Sequence, residues 1–270
     1  MKTIRTEKHP GAKFIAILAV LIVIGLVIAI CIGYGKLKDL YLQQCIIKDM
    51  DEQVLITTGK MVKPDVIAAE FGLRPGANLA LIDFNTRRDE VLSKIHTLRT
   101  ISITRRLPDK VIIVAEERTP VAKLMVRGDR TFLGRVTDAE GAVFICQRGT
   151  QLLPTIRERQ ATPPGQRIKA RTLAALTLIL ASQELGFSDL NVQDVDTLKP
   201  DFLLATLGDY SKAKISWEGM DEPPRRQSQT DLHNRLDHLV KAIRSKVGTG
   251  TKIWNATIPN RIFADTQERQ

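Results

Sequence analysis

The chain has 270 residues, 43% of them apolar, with 40 Lys and Arg against 30 Asp and Glu. With 17 Gly and 12 Pro it is neither collagen-like nor mostly linker, and three cysteines are too few for a disulfide scaffold. The basic excess is dispersed in short pairs such as Arg87-Arg88, Arg105-Arg106 and Arg225-Arg226, not gathered into a nucleic-acid arm.

Residues Phe14 to Ile32 run without a charge or a strongly polar group. As a helix at 1.5 Å per residue they span about 28 Å, close to the roughly 30 Å hydrocarbon core. This argues against a simple cytoplasmic enzyme. Lys2, Arg5, Lys8 and Lys13 precede the run against Glu7, and Lys36, Lys38 and Lys48 follow it against Asp39 and Asp49. The more positive flank stays in the cytoplasm, so the N-terminus is expected inside and the bulk of the chain outside. The run is too long for a signal peptide, and Ile30-Cys31-Ile32 lacks a small-x-small exit. The pattern predicts a cytoplasmic tail over 1–13, a membrane helix over 14–34 and a linker over 35–49.

A first exported unit is expected over 50–118. Gln53 to Thr57 reads as a strand. Pro64 and Asp65 open a helix that Gly72 closes. Asn85 or Thr86 can cap a second helix, Arg87 to Lys94. Thr100 to Arg105 and Lys110 to Glu116 read as strands joined by a hairpin loop at Leu107-Pro108-Asp109. The order is strand, helix, helix, strand, strand.

A second, β-rich unit with two helices is expected over 119–265, and a loose tail over 266–270. Phe132 to Val136 and Ala142 to Cys146 read as strands about a turn at Asp138 to Gly141. Arg171 to Leu185 is a helix with an inward stripe at Leu173, Leu176, Leu180 and Ala181. Leu190 to Val195, Phe202 to Leu207 and Lys214 to Trp217 are strand candidates. Glu222 to Ser228 reads as a loop, and Thr230 as the cap of a helix with a stripe at Leu232, Leu236, Leu239, Ile243 and Val247. Lys252 to Ala264 reads as a last strand, interrupted by Pro259. The fold class is therefore α+β.

Catalytic chemistry is not legible. There is no His-Glu-x-x-His, no paired-cysteine motif, no phosphate loop and no nucleophile elbow. His96 lies at a helix end, His233 and Asp237 could pair on one helical face, and Asp138 suits a turn. No catalytic, metal or cofactor-binding residue is assigned, and no small-molecule substrate or nucleic acid is expected as a partner. Cys45 and Cys146 are expected to be unbridged.

Local strings nevertheless resemble a known family. Val62-Lys-Pro-Asp-Val-Ile, Gly72-Leu-Arg-Pro-Gly-Ala-Asn-Leu, Ile101-Ser-Ile-Thr-Arg-Arg-Leu-Pro-Asp, Val114-Ala-Glu-Glu-Arg-Thr-Pro-Val-Ala, Asp138 to Phe144 and Pro259-Asn-Arg-Ile resemble the bacterial cell-division FtsQ/DivIB family over most of residues 10–265. The resemblance implies a POTRA domain at 50–118 and an FtsQ/DivIB-type β domain at 119–265. It implies a non-enzymatic divisome scaffold in the bacterial inner membrane at the septum, anchored in lipid through 14–34. Its partners would be small single-pass coiled-coil division proteins, docked mainly on the C-terminal domain. There, Lys252 to Phe263 is expected to form an open sheet edge, with Trp254, Asn255, Ala256, Thr257, Ile258, Arg261 and Phe263 as partner-binding candidates. Asn255-Ala256-Thr257-Ile258 stands where the family usually shows an acidic, apolar, basic, aromatic series. A POTRA-type transport component would instead show repeated units or a terminal barrel, and an anchored wall-processing enzyme would show convergent catalytic groups.

Overall fold

The computed structural model describes residues 10–106, 108–129, 131–217, 220, 226–245, 253–258 and 261–265. Expectations placed on 1–9, Leu107, Glu222 to Arg225, Val247, Lys252, Pro259, Asn260 and the 266–270 tail lie outside these residues. The fold is mixed α+β, with an N-terminal apolar helix and a large mixed sheet. Two compact units are formed by the described residues of Met1–Thr57, Pro64–Arg88 and Ser102–Val114, and of Thr58–Lys63, Asp89–Ile101 and Ala115–Gln270.

The first unit begins with α1, Pro10–Gln44, a single helix of 35 residues. From Leu21 to Gln44 it is long and apolar enough to cross a membrane. The helix does not stop at the end of the apolar run, because Gly33 to Gln44 contains no proline and Lys, Leu and Gln there are good helix formers. The expected 35–49 linker is thus largely helix, and its remainder is packed. Cys45 and Ile47 are buried, Ile47 exchanges backbone hydrogen bonds with Ala77 and Gly76, and the Leu79 N–H reaches the Cys45 carbonyl. Asn78 Nδ2 donates to the Leu42 carbonyl at 2.8 Å.

After a one-turn helix α2 (Met50–Gln53), β1 (Val54–Thr57) lies parallel to β3 (Lys110–Glu117), which also neighbours β2 (Leu98–Arg106) in a three-stranded sheet of order β1-β3-β2. Helix α3 (Pro64–Phe71) ends at Gly72, whose φ of +72° suits glycine. Its Ile67 and Phe71 are buried, and Phe71 meets Phe84 with ring centroids 6.0 Å apart. Helix α4 (Phe84–Lys94) starts earlier than Asn85 or Thr86 suggested. Asp83 caps it, with Oδ1 accepting from the Asn85 and Thr86 N–H groups.

The second unit is built on a nine-stranded sheet of order β12-β11-β10-β9-β8-β7-β4-β5-β6. Its strands are β4 (Ala122–Val126), β5 (Arg135–Thr137), β6 (Val143–Ile145), β7 (Thr155–Glu158), β8 (Asp194–Asp196), β9 (Leu203–Thr206), β10 (Lys212–Ile215), β11 (Ile253–Ala256) and β12 (Phe263–Asp265). Parallel neighbours cannot be joined by a tight hairpin. Accordingly α5 (Ala170–Leu185) lies between the parallel strands β7 and β8 in the chain, and α6 (Arg226–Arg244) between β10 and β11. The two helices touch each other, with α5 against β7 and α6 against β11. Leu176, Leu178, Ile179, Leu236, Leu239 and Val240 join the main core.

Several expectations are corrected. Strands β4 and β7 were not foreseen, and they are parallel neighbours in the interior of the sheet. The Phe132 to Val136 strand is displaced to Arg135–Thr137, because Gly134 has φ of +82° and breaks the extended run. Leu190 to Val195 divides into a 3-10 turn at Ser188–Leu190 and the strand β8. Helix α5 buries Ala174, Ala175 and Leu178 as well as Leu176 and Ala181, while Leu173 and Leu180 are only half-buried, because both β7 and α6 cover it. Helix α6 already runs from Arg226, so Arg226 to Ser228 is helix and Thr230 sits within the helix instead of capping it. The Lys252 to Ala264 strand is two antiparallel strands, β11 and β12.

Candidate functional site

The C-terminal hairpin holds the residues singled out for partner binding. β11 has β10 on one side, with Ala213 opposite Trp254, and β12 on the other, with Trp254 opposite Ala264. It is therefore an interior strand, and the sheet edge on this side is β12. Trp254, 5% exposed, and Ala256 belong to the main core. Asn255 Oδ1 accepts from both the N–H and the Oγ1 of Thr257, an Asx-type turn that ends β11 before Pro259. The Thr257 N–H is consequently used locally. Ile258 and Phe263 are 49% and 47% exposed, and Arg261 is exposed. The seven residues thus separate into buried Trp254 and Ala256, half-buried Asn255 and Thr257, and an outward group of Ile258, Arg261 and Phe263.

A second constellation lies in the Glu-Glu-Arg-Thr-Pro stretch at the end of β3. The Glu117 carboxylate accepts from three successive backbone N–H groups, Lys60 at 2.8 Å, Met61 at 2.9 and 3.0 Å and Val62 at 2.7 Å. Successive N–H groups of this kind make an anion-holding concavity, here filled by the chain's own carboxylate. A Cβ on Gly59 would stand 2.1 Å from Glu117 Oε2, so the glycine supplies space. The next residue, Arg118, donates from Nε to the His96 carbonyl and from Nη1 to Asp138 Oδ2 at 2.6 Å. Asp138 Oδ1 takes the N–H groups of Glu140 and Ala142, which shapes the turn between β5 and β6. The turn role read for Asp138 holds, with Arg118 as an added partner.

Arg135 and Glu158 form a buried pair at 3.2 Å. Thr162 completes it, its Oγ1 donating to Glu158 Oε1 at 3.0 Å and its carbonyl accepting from Arg135 at 3.3 Å. His96 packs on Gly165, where an added Cβ would meet its ring at 2.5 Å. His233 pairs with Glu184 at 3.4 Å and Asp237 with Lys241, so the expected His233–Asp237 pair is replaced by two others. Cys45 and Cys146 are buried free thiols. A cleft of about 700 Å³ opens beside Lys123, Pro154, Ser182, Phe187 and Gln193, and Lys123 is the one charged side chain in its lining. A lone lysine there assembles no acid–base pair. Among the described residues no group of three or more His, Cys, Asp or Glu is placed to hold a metal.

Sequence reasoning missed Glu117, Gly59 and the Arg135–Glu158 pair. The available signal was the Glu117-Arg118 pair at the end of a β-branched strand, which gives no hint that the partners of Glu117 lie 55 residues or more away. No family model matches the chain, and comparison with the curated proteins finds no match either.

Proposed function

We propose that this chain is a membrane-anchored, non-enzymatic scaffold of the FtsQ/DivIB kind, acting in bacterial cell division. The observation that carries the reading is a membrane-length helix followed by a sheet in which β12 is the edge strand among the described residues, with Phe263 exposed. An edge strand offers unpaired N–H and C=O groups to a partner strand, and an aromatic side chain beside it supplies an anchor. The β-α-α-β-β order of the first exported segment supports a POTRA-type unit.

In this reading the N-terminus is cytoplasmic, the folded units are extracytoplasmic and the protein gathers at the septum of the inner membrane. It recruits small single-pass coiled-coil division proteins and couples them to septal wall synthesis without making or breaking a bond. Ile258, Arg261 and Phe263 contact the partner, while Trp254, Asn255, Ala256 and Thr257 hold β12 in place. The test is depletion in the native cell with imaging of a fluorescent fusion. Filamentous cells and a midcell signal are expected. Normal division with an evenly distributed membrane signal overturns the proposal.

A further inference from the structure

The cleft of about 700 Å³ beside α5 has no part in the proposed scaffold role. Its size is within the ordinary range of sites that hold small ligands. It lies where β4 and β7 begin and where α5 ends, and these elements bring opposite polarities to it.

Lys123 supplies the positive charge. It is half-buried, and among the described residues its ammonium makes no hydrogen bond or ion pair. Asp194 feels its charge, but both Asp194 oxygens accept from Arg157 Nε, at 2.9 and 3.1 Å. A cation partly withdrawn from water is thus left for an anion from outside. The end of α5 supplies the negative pole. Ser182, Gln183 and Gly186 line the cleft, and the Gly186 N–H takes the Ser182 carbonyl. The carbonyls of Gln183, Glu184 and Leu185 have no partner within the helix. A helix C-terminus carries partial negative charge and favours groups that donate.

The remaining walls suit a peptide backbone. Gln151, Asn191 and Gln193 are exposed carboxamides, and among the described residues none of these side chains is bonded within the chain. Each offers donors and an acceptor, the complement of a peptide group. Leu153, Pro154 and Val192 add apolar surface for a side chain. A phosphate-bearing ligand fits poorly, because the lining holds neither arginine nor a long helix N-terminus and the α5 carbonyls oppose a second negative charge. A sugar fits poorly as well. The one aromatic side chain in the lining, Phe187, already has the Arg244 guanidinium 5.3 Å from its ring centroid.

We propose that this cleft binds a short peptide with a free C-terminus, its carboxylate at Lys123 and its N–H groups toward the end of α5. The site is separate from β12 and does not depend on the anchor or scaffold readings.

The test is ligand-observed NMR of the full-length chain in detergent micelles, corrected for empty micelles. The probes are a pool of random-sequence tetrapeptides with free carboxylates, the same pool as C-terminal amides, and inorganic phosphate. Saturation transfer to the carboxylate pool alone is expected, without competition by phosphate. Lys123→Gln should weaken binding about tenfold, the scale of one hydrogen bond to a charged group, and Lys123→Arg should retain most of it. Lys199→Gln, at an exposed lysine outside the cleft, should leave it unchanged. Gln183→Trp adds bulk at an exposed position on the cleft wall and should block binding with Lys123 still in place. Melting temperatures show which variants are folded, and Gln183→Trp decides the matter if Lys123→Gln is not. No transfer to the carboxylate pool, equal transfer to the amides, competition by phosphate, or full binding by a folded Lys123→Gln or Gln183→Trp protein each overturns the proposal. Division and midcell imaging are read separately, so its failure leaves the scaffold role standing.

Discussion

Arg118 Nη1 lies 2.6 Å from Asp138 Oδ2, and the same guanidinium holds the His96 carbonyl through Nε. One side chain thereby joins the strand exit, the segment after α4 and the β5–β6 turn. The Asp138 side chain is only 7% exposed, so removing its cationic partner leaves a nearly buried carboxylate with two backbone donors and no charge opposite. Arg118→Ala is expected to cost about 2–3 kcal/mol, in the range for stranding a buried charged acceptor. Arg118→Lys should recover part of this, since a lysine cannot reach both partners with a fixed fork. Thermal unfolding of the detergent-solubilised full chain, followed by circular dichroism, checks both. A melting temperature unchanged in Arg118→Ala would show that the pair is dispensable.

Gly59 and Glu117 are expected to be energetically coupled. Gly59→Ala places a methyl group against Oε2, and Glu117→Ala removes the oxygen that it strikes. Each single change should destabilise, the first by about 1–3 kcal/mol through steric displacement and the second by about 2 kcal/mol through lost charge-assisted hydrogen bonds. The double variant should cost less than the two added together, because its clash is gone. A double-mutant cycle in urea reads the coupling, and simple additivity contradicts the geometry.

Local chemistry made much of the fold legible. Pro64 and Gly72 mark α3, Gly186 in the left-handed region ends α5, and Asp138 with Gly141 makes the β5–β6 turn. Strands β4 and β7 escaped because each is short and its partner is distant in the chain. Lys123 pairs with Thr155 in parallel, a relation that no turn residue announces. Asp83 escaped as a cap because Phe84, an apolar residue, opens its helix. The arrangement around the candidate residues was not legible in the sequence. Trp254 and Ala256 are buried, whereas the Asn255–Thr257 turn ends the strand before Ile258 and leaves that candidate exposed. Likewise the apolar run was legible as a helix of membrane-spanning length, while its continuation to Gln44 was read as linker because charge and glycine reappear there.

Two carboxylates are expected to respond oppositely to pH. The Asp83 carboxyl is held below its ordinary value of 3.8, first by the Thr86 hydroxyl and then by the Thr86 and Asn85 N–H groups and the charge of Arg105. Its stabilisation of α4 is present above the unfolded-state value and is lost as pH falls through the lowered folded-state value. Protection of the amides of residues 84–87, taken against their intrinsic exchange, should therefore fall below about pH 4, and Asp83→Asn should flatten that dependence while keeping one acceptor. The Asp194 carboxyl is raised, because its burial outweighs the hydrogen bonds and charge of Arg157. Its contribution is full below the unfolded-state value and declines as pH rises through the raised one, so Asp194→Asn should raise the melting temperature slightly at pH 7 and not at pH 3. A variant less stable than the parent at pH 7 would mean that the Arg157 pair dominates.

Trp254 and Phe263 should separate stability from affinity within one hairpin. Trp254 is 5% exposed, packs in the main core and sits opposite Ala213 on one neighbouring strand and Ala264 on the other. Trp254→Ala is expected to cost about 3–5 kcal/mol, the range for emptying an aromatic site in a core, and to abolish partner capture only by loosening the sheet. Phe263 is 47% exposed on the edge strand β12, so its truncation leaves little cavity behind. Phe263→Ala should change the melting temperature by no more than about 2 °C, as surface substitutions do, yet weaken a strand-adding partner about tenfold if the side chain anchors the interface. Circular dichroism and titration of the purified partner's extracytoplasmic segment onto the solubilised chain give the two readings. A stable Phe263→Ala protein with unchanged affinity would remove β12 as the docking edge. A fully folded Trp254→Ala protein with lost affinity would place the interface on the face of β11, contrary to the packing seen around Trp254.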